Sequence, residues 1–227
     1  MADQNTMDIP RHRIRLRFRK EGDLRFISHR DLVRVFERAF RRAGFELSMS
    51  EGFHPKARMS FPLALSLGIE GLDEVMEVEF RESLAAEEIG SRLRPLLPDG
   101  LVVEDIETMK IGASKRRVER VVYEIPVPKD RWQEVTEAIG RVMSQSAWQV
   151  ASRGRDRSID VMPQLAALEL KDGTLRIEQI ITAEASFNPR DLLIEFHLDG
   201  LESLGHTIKR TQVKLENKHD FSTAEAL

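Results

Sequence analysis

Four arginines near the start of the sequence carry side chains suited to anion binding. They are Arg13, Arg15, Arg17 and Arg19 in the stretch RHRIRLRFRK (residues 11–20), with apolar residues between them. A period of two places the arginines on one face of a β-strand, here called the arginine face, and the apolar side chains on the other. Guanidinium groups donate paired hydrogen bonds to phosphate or carboxylate oxygens. The pattern therefore predicts either a phosphate-binding surface or ion pairs with carboxylates of the same chain.

Two more groups of residues enlarge this candidate anion site. They are Arg30 and Arg34 near the start of a predicted helix, and His54, Lys56 and Arg58 in the loop GFHPKAR (residues 52–58). Gly52 permits a tight turn and Pro55 stiffens the chain, so the loop is suited to holding charges in place for recognition. The alternative is that the loop only crosses the top of the domain while Phe53 and Phe61 pack in the core.

His29 and His54 suggest a catalytic alternative. Two histidines with a lysine could cleave RNA by general acid–base catalysis without a metal, as a metal-independent endoribonuclease does. Because His29 falls in the first turn of the predicted helix, a capping or packing role is the competing interpretation. No metal site is predicted, since His197, His206 and His219 are scattered, and no cofactor site is predicted either.

Composition narrows the function classes. The sequence of 227 residues contains no cysteine, so it has no disulfide and no cysteine-ligated iron–sulfur cluster. It contains no apolar run near the roughly 20 residues that span a bilayer, and its opening does not resemble a signal peptide. We therefore predict a cytoplasmic protein without membrane contact. The net charge is −3, but residues 11–58 hold fourteen basic and six acidic residues, and residues 70–107 hold three and twelve.

The elements that position these residues alternate in the first half of the chain. After the arginine strand, Ser28 and Asp31 form a capping box for an amphipathic helix that ends at Gly44. A short strand near residues 58–63, the strand EVMEVEF, a helix near residues 86–97 and the strand LVVEDIETM follow. The order matches a ferredoxin-like sandwich with the first strand central and one sheet face in solvent. On that face, Arg15 and Arg17 could pair with Glu77 and Glu79.

The second half predicts the same plan, with an Asp172-Gly173 hairpin turn and an Asn188-Pro189 helix start. The segment SIDVMPQL has no clear place in it. We therefore predict an α+β fold of two tandem ferredoxin-like (βαββαβ) sandwiches with antiparallel sheets. The predicted domains are residues 11–109 and 119–217, joined by a linker at 110–118 and flanked by flexible tails at 1–10 and 218–227.

The stretches FISHRDLVRVFERAFRRAGF and SEGFHPKARMSFPLALSLGIEG resemble the bacterial radical SAM-linked protein family. Members of that family occur beside, or fused to, radical SAM enzymes. The resemblance implies a companion domain whose partner is a radical SAM enzyme in trans, because a chain without cysteine cannot hold the cluster itself.

Three functions are compatible with the sequence. The first is a non-enzymatic accessory module that binds RNA or another phosphate-bearing substrate through the basic surface and presents it to a radical SAM partner. The second is an adaptor whose same surface docks directly on that enzyme. The third is the endoribonuclease that uses His29 and His54.

Overall fold

The structure is a computed structural model that describes residues 12–110, 113–151, 158–182 and 187–216. Within these residues the protein has a mixed α+β fold with one large, mostly antiparallel sheet, a separate two-stranded sheet and four α-helices. None of the described helices has the length and apolar character to span a membrane. The predicted tails lie outside the described residues, and so do residues 111 and 112 of the predicted linker.

The elements follow one another in an irregular alternation. The strands are β1 (His12–Lys20), β2 (Met59–Ser60), β3 (Glu70–Phe80), β4 (Leu101–Thr108), β5 (Val118–Pro126), β6 (Gln149–Ala151), β7 (Ser158–Asp160), β8 (Leu165–Lys171), β9 (Thr174–Ile180) and β10 (Lys209–Leu215). The α-helices are α1 (His29–Arg42), α2 (Ala86–Leu93), α3 (Trp132–Met143) and α4 (Pro189–Glu195).

The large sheet runs through both halves of the chain in the order β4-β1-β3-β10-β5-β9-β8. One edge of β3 pairs with β1, and its other edge pairs with two strands in turn. Near its start β3 pairs in parallel with β10, at Glu70 with Lys209 and at Gly71 with Arg210. Near its end β3 pairs with β2. A gap between β2 and the end of β10 follows from this arrangement.

The helix α1 begins and ends where the sequence predicts. The hydroxyl of Ser28 accepts a hydrogen bond from the backbone N–H of Asp31 at 3.1 Å and donates one to the Asp31 carboxylate at 2.7 Å. The hydrogen bond from Ser28 lowers the pKa of Asp31. At the other end Gly44 adopts φ +75°, a left-handed conformation that favours glycine. The buried side chains Leu32 and Phe36 face the sheet.

The sheet carries two hydrophobic clusters. The first joins α1 and α2 to the apolar faces of β1, β3 and β4, and the second joins residues of the second half to Ile69 and Val75. Val75 and its neighbour Met76 point to opposite faces of β3 and belong to different clusters. The predicted solvent exposure of the arginine face is therefore wrong at its centre, where Arg15 and Glu77 are each 3% exposed.

A buried ion pair joins the two halves beside the short parallel pairing. Arg210 of β10 donates from Nε to Oε1 of Glu74 at 2.7 Å and from Nη2 to Oε2 at 2.5 Å. Arg210 also donates to the carbonyls of Ala64 and Leu63 at 3.1 and 3.3 Å. Burial alone would lower the pKa of Arg210, but the charge and hydrogen bonds of Glu74, together with Tyr123, raise it. The guanidinium is therefore charged inside the protein.

The second half differs from its prediction at one place. Among the described residues, the stretch around Trp148 and Val150 does not enter the large sheet, because β6 pairs with β7, which comes from the unplaced segment SIDVMPQL. The hairpin of β8 and β9 turns at Asp172 (φ +48°) and Gly173 (φ +77°), as the Asp-Gly pair predicts. The tandem layout and the domain boundaries remain predictions.

Candidate anion-binding groove

Each arginine of β1 lies within 4.0 Å of a carboxylate. The pairs are Arg13 with Glu79 (3.4 Å), Arg15 with Glu77 (2.8 Å) and Glu107 (3.1 Å), Arg17 with Asp73 (2.5 Å), and Arg19 with Glu21 (2.9 Å) and Glu104 (3.0 Å). Of the two expected acidic partners, Glu77 faces Arg15 across the strands, but Glu79 faces Arg13 rather than Arg17. The structure thus pairs the β1 arginines with carboxylates of the same chain, one of the two alternatives predicted, but of the named partners it confirms only Glu77 for Arg15.

These ion pairs differ in their contribution to stability. Arg15 and Glu77 are both buried, and removing one partner of such a pair typically costs about 3–5 kcal/mol. Arg19 and Glu104 are both more than two-fifths exposed, where a pair contributes about 0–1 kcal/mol. The centre of the arginine face is therefore a structural layer, and its rim is a solvated surface.

Arg17 contributes to the junction between the halves. The Asp73 carboxylate accepts from Nη1 of Arg17 at 2.5 Å and from the backbone N–H of Val213 at 3.0 Å. Arg17 also donates to the Val213 carbonyl at 3.3 Å. Asp73 thus satisfies a backbone donor of β10 beyond the point where β10 pairs with β3.

A different segment supplies positive charge without counter-ions. Arg13 donates from Nη1 to the Ala113 carbonyl at 2.9 Å, so the segment at residues 113–117 crosses the arginine face. This segment contains the KRR triplet, Lys115, Arg116 and Arg117. In the described part of the chain, no carboxylate lies within 4.0 Å of any of the three. The sequence analysis predicts a linker here and does not name these three as site residues, although three consecutive basic side chains are a signal that could have found them.

Three neighbouring cavities lie under and beside the KRR triplet, and we call them together the basic groove. The wedge cavity (420 Å³) lies in the gap between β2 and β10 and is lined by Glu77, Arg116 and Arg117 among others. The second cavity (470 Å³) is lined by Arg15 and Arg116, and the third (90 Å³) by Arg58 and Glu77. Arg116 lines the wedge cavity and the second cavity, and Glu77 lines the wedge cavity and the third, so the other two each adjoin the wedge cavity.

Four buried polar atoms in the walls of the groove lack hydrogen-bond partners among the described residues. The two on the most deeply buried side chains are Oε2 of Glu77 and Nε of Arg15; Nε of Arg13 and Oε2 of Glu79, in the wall of the third cavity, are two more. The side chains of Glu77 and Arg15 are 97% buried, and an unsatisfied buried polar atom costs about 1–3 kcal/mol. Atoms of this kind beside a cavity mark a place where a ligand could complete the hydrogen bonding.

A family model described as an uncharacterized protein conserved in bacteria (DUF2344) matches residues 13–190. The chain belongs to the DUF2344 family. No curated protein matches its sequence. A solved structure described as a putative glycine cleavage system transcriptional repressor is 10% identical, with 92% of this chain and 99% of that chain covered and a TM-score of 0.27. A TM-score this low carries no argument about the function of this DUF2344 protein.

The remaining predicted residues of the DUF2344 protein are divided between two faces. Arg58 lines the third cavity, and its Nε donates to the Met49 carbonyl at 3.1 Å. Arg30 and Arg34 lie on α1, which covers the opposite face of the sheet, and Arg34 pairs with Asp31 at 3.2 Å. The structure therefore brings Arg58 to the arginines of β1 but not Arg30 and Arg34.

The GFHPKAR loop projects as an exposed tip. The backbone N–H of Lys56 donates to the Ser50 hydroxyl at 3.0 Å, and Gly52 adopts φ +116° at the turn. His54 and Lys56 are exposed, and Phe53 is fully exposed rather than packed in the core. The loop therefore presents one aromatic and two basic side chains to an outside partner.

The two candidate catalytic histidines have different surroundings. The ring of His29 packs edge-on against Phe61, with centroids 5.0 Å apart. Phe61 in turn packs against Phe18 and Phe36, so the predicted core role applies to this phenylalanine. His29 is nevertheless exposed, as is His54 in the loop. The contact with Phe61 favours the packing interpretation of His29.

Proposed function

We propose that this DUF2344 protein is a non-enzymatic module that binds RNA or another phosphate-bearing ligand in the basic groove. The observation that carries the proposal is the KRR triplet, whose three cations lack carboxylate partners in the described chain and line adjoining cavities. A groove that continues over several cavities suits a chain of phosphates. Single-stranded nucleic acid is commonly held by such basic grooves, even without aromatic stacking on every base.

The partner in this proposal is a radical SAM enzyme in trans, and it rests on the resemblance of the two quoted stretches. The absence of cysteine supports the division of labour, since the cluster chemistry would belong to the partner. The DUF2344 protein would then hold the substrate while the enzyme modifies it.

We also propose that the layout is two tandem ferredoxin-like units. In the first half the strand order β4-β1-β3-β2 supports it, with α1 and α2 on one face. In the second half the order β10-β5-β9-β8 supports it, with β6 and β7 as an inserted hairpin. On this view the basic groove lies where the two units meet.

A second candidate function is an adaptor that docks on the radical SAM enzyme. The fully exposed side chain of Phe53, beside His54 and Lys56, favours it because exposed aromatic residues often anchor protein interfaces. The ribonuclease hypothesis has no comparable support, since His29 packs on Phe61.

Titration of a fluorescent single-stranded RNA at several salt concentrations tests the groove. The triple variant K115A/R116A/R117A is compared with R30A/R38A/R42A, which removes three exposed arginines from α1 on the opposite face. Each lost phosphate contact should reduce the slope of log affinity against log salt by about 0.7. We expect the first variant to lose about two to three contacts and the second to match the unmodified protein. Affinity that does not fall with salt, or equal losses in both variants, would contradict the proposal.

Co-purification separates the two candidate functions. In a nuclease-treated lysate, an association with the radical SAM enzyme that RNA bridges should be lost, and a direct association should persist. The variant F53S should weaken only the direct association.

A further inference from the structure

The wedge cavity has the volume and walls of a small-molecule site. Its 420 Å³ lies within the range of about 300–1,000 Å³ that is usual for ligand pockets. Pro62, Val118 and Ile181 supply an apolar wall, and the KRR triplet supplies a basic one. A ligand that fits both walls has an anionic end and a flatter, less polar body.

The charge of the cavity points to a doubly charged anion. The three cations of the KRR triplet and Glu216 have no ion-pair partner in the described part of the chain, while Glu77 is paired with Arg15. These groups leave two positive charges uncompensated. A terminal phosphate monoester carries between −1.5 and −2 at pH 7, whereas an internal phosphodiester carries one negative charge. The cavity therefore matches the end of a phosphorylated chain better than its interior.

Glu77 adds a requirement for a donor. Its Oε1 accepts from Nη2 of Arg15 at 2.8 Å, and its Oε2 is buried without a partner in the described chain. An ionised carboxylate oxygen can only accept hydrogen bonds. A ligand that completes this site must present an O–H or N–H group, which a sugar hydroxyl or the amino group of a base provides.

We propose that the wedge cavity binds a nucleoside monophosphate unit, with its phosphate at the KRR triplet and a sugar or base donor at Oε2 of Glu77. This inference rests on the proposed function and narrows it to the phosphorylated end of an RNA. A free nucleotide has the same chemistry, and the experiment distinguishes the two sources.

The test uses one RNA sequence with a phosphate at its 5′ end, at its 3′ end, or at neither. We expect at least one phosphorylated form to bind about tenfold tighter or more than the hydroxyl-ended form, as one charge-assisted contact allows. Nucleoside monophosphates should displace that RNA at roughly tenfold lower concentration than methyl phosphate, which has the same charge but no donor. In the variant K115A/R117A the preference for a phosphorylated end should disappear, and in R38A/R42A it should persist.

The outcomes separate this inference from the proposed function. Equal, salt-dependent binding of all three RNAs would overturn the inference and leave the RNA groove standing. Calorimetric binding of nucleoside monophosphates without RNA binding would support the cavity assignment and overturn the RNA function. Equal displacement by methyl phosphate and nucleotides would overturn the role given to Glu77. Absence of binding by RNA and nucleotides alike would overturn both.

Discussion

Glu74→Gln should destabilise the protein strongly, because the Glu74 carboxylate is the counter-ion of a buried arginine. The substitution keeps the shape of the side chain but leaves Arg210, which is 1% exposed, without its counter-ion. It weakens two charge-assisted hydrogen bonds of 2.7 and 2.5 Å, each of which contributes about 1.5–3 kcal/mol. Removing one partner of a buried ion pair typically costs about 3–5 kcal/mol, and we expect a loss in that range. For a chain of this length that loss lowers Tm by about 6–20 °C.

Urea unfolding followed by circular dichroism and by the fluorescence of Trp132 and Trp148 measures the effect. Glu104→Gln is the matched control, because the pair of Glu104 with Arg19 is exposed and its loss should cost less than about 1 kcal/mol. The double variant Glu74→Gln/Arg210→Met should regain part of the stability, since it removes the uncompensated charge. Equal losses in Glu74→Gln and Glu104→Gln, or a double variant less stable than Glu74→Gln, would refute the reasoning.

Three further predictions each concern a single side chain: a buried tyrosine, a helix-capping serine and an exposed phenylalanine. Burial raises the pKa of Tyr123, so above a pH of about 10 this tyrosine ionises in the unfolded chain before it does in the folded protein, and stability falls as pH rises. Urea unfolding at pH values from 9 to 11 should therefore show a smaller fall in the free energy of unfolding for Tyr123→Phe than for the unmodified protein. Burial lowers the pKa of Lys20, which makes stability rise with pH over the same range. This contribution is present in the unmodified protein and in Tyr123→Phe alike, so the difference between their pH profiles reports on the tyrosine. Ser28→Ala removes the N-cap of α1 and should lower the free energy of unfolding in urea by about 1 kcal/mol. Ser91→Ala, in the middle of α2, removes no N-cap and should not cause this loss. Phe53→Ser should leave Tm unchanged, because the side chain contacts solvent; a fall of several degrees would show that the loop packs elsewhere.

Local chemistry explains why several elements could be predicted from the sequence. The capping box at Ser28, the left-handed residue Gly44 and the turn at Asp172-Gly173 each depend on residues close together in the chain. The alternation in β1 likewise fixes which side chains face the core. None of these features depends on knowing where distant strands lie.

The features that sequence reasoning missed depend on distant contacts. No periodicity indicates that β10 pairs in parallel with the first two residues of β3, or that Glu74 meets Arg210 across 136 positions. For the same reason the alternation of β3 places Val75 on the same face as Glu77, which the sequence predicts to lie in solvent, whereas a core from the other half of the chain covers it. The partners of Arg17 could not be predicted either, because one of them is a backbone carbonyl of β10.

The distribution of charge separates two roles that the sequence presents together. Arginines that alternate with core residues on β1 must lie close to β3 and β4, whose carboxylates are then within reach, so these arginines become paired. The KRR triplet lies in a connection that belongs to no strand, and in the described part of the chain no carboxylate comes within 4.0 Å of its three cations. The paired arginines fix the floor of the groove and, through Arg17, its distance from β10. The cations of the KRR triplet then supply the charge that an anionic ligand would contact. Substitutions that break the ion pairs of the β1 arginines should therefore alter the affinity for that ligand even where the KRR triplet is intact.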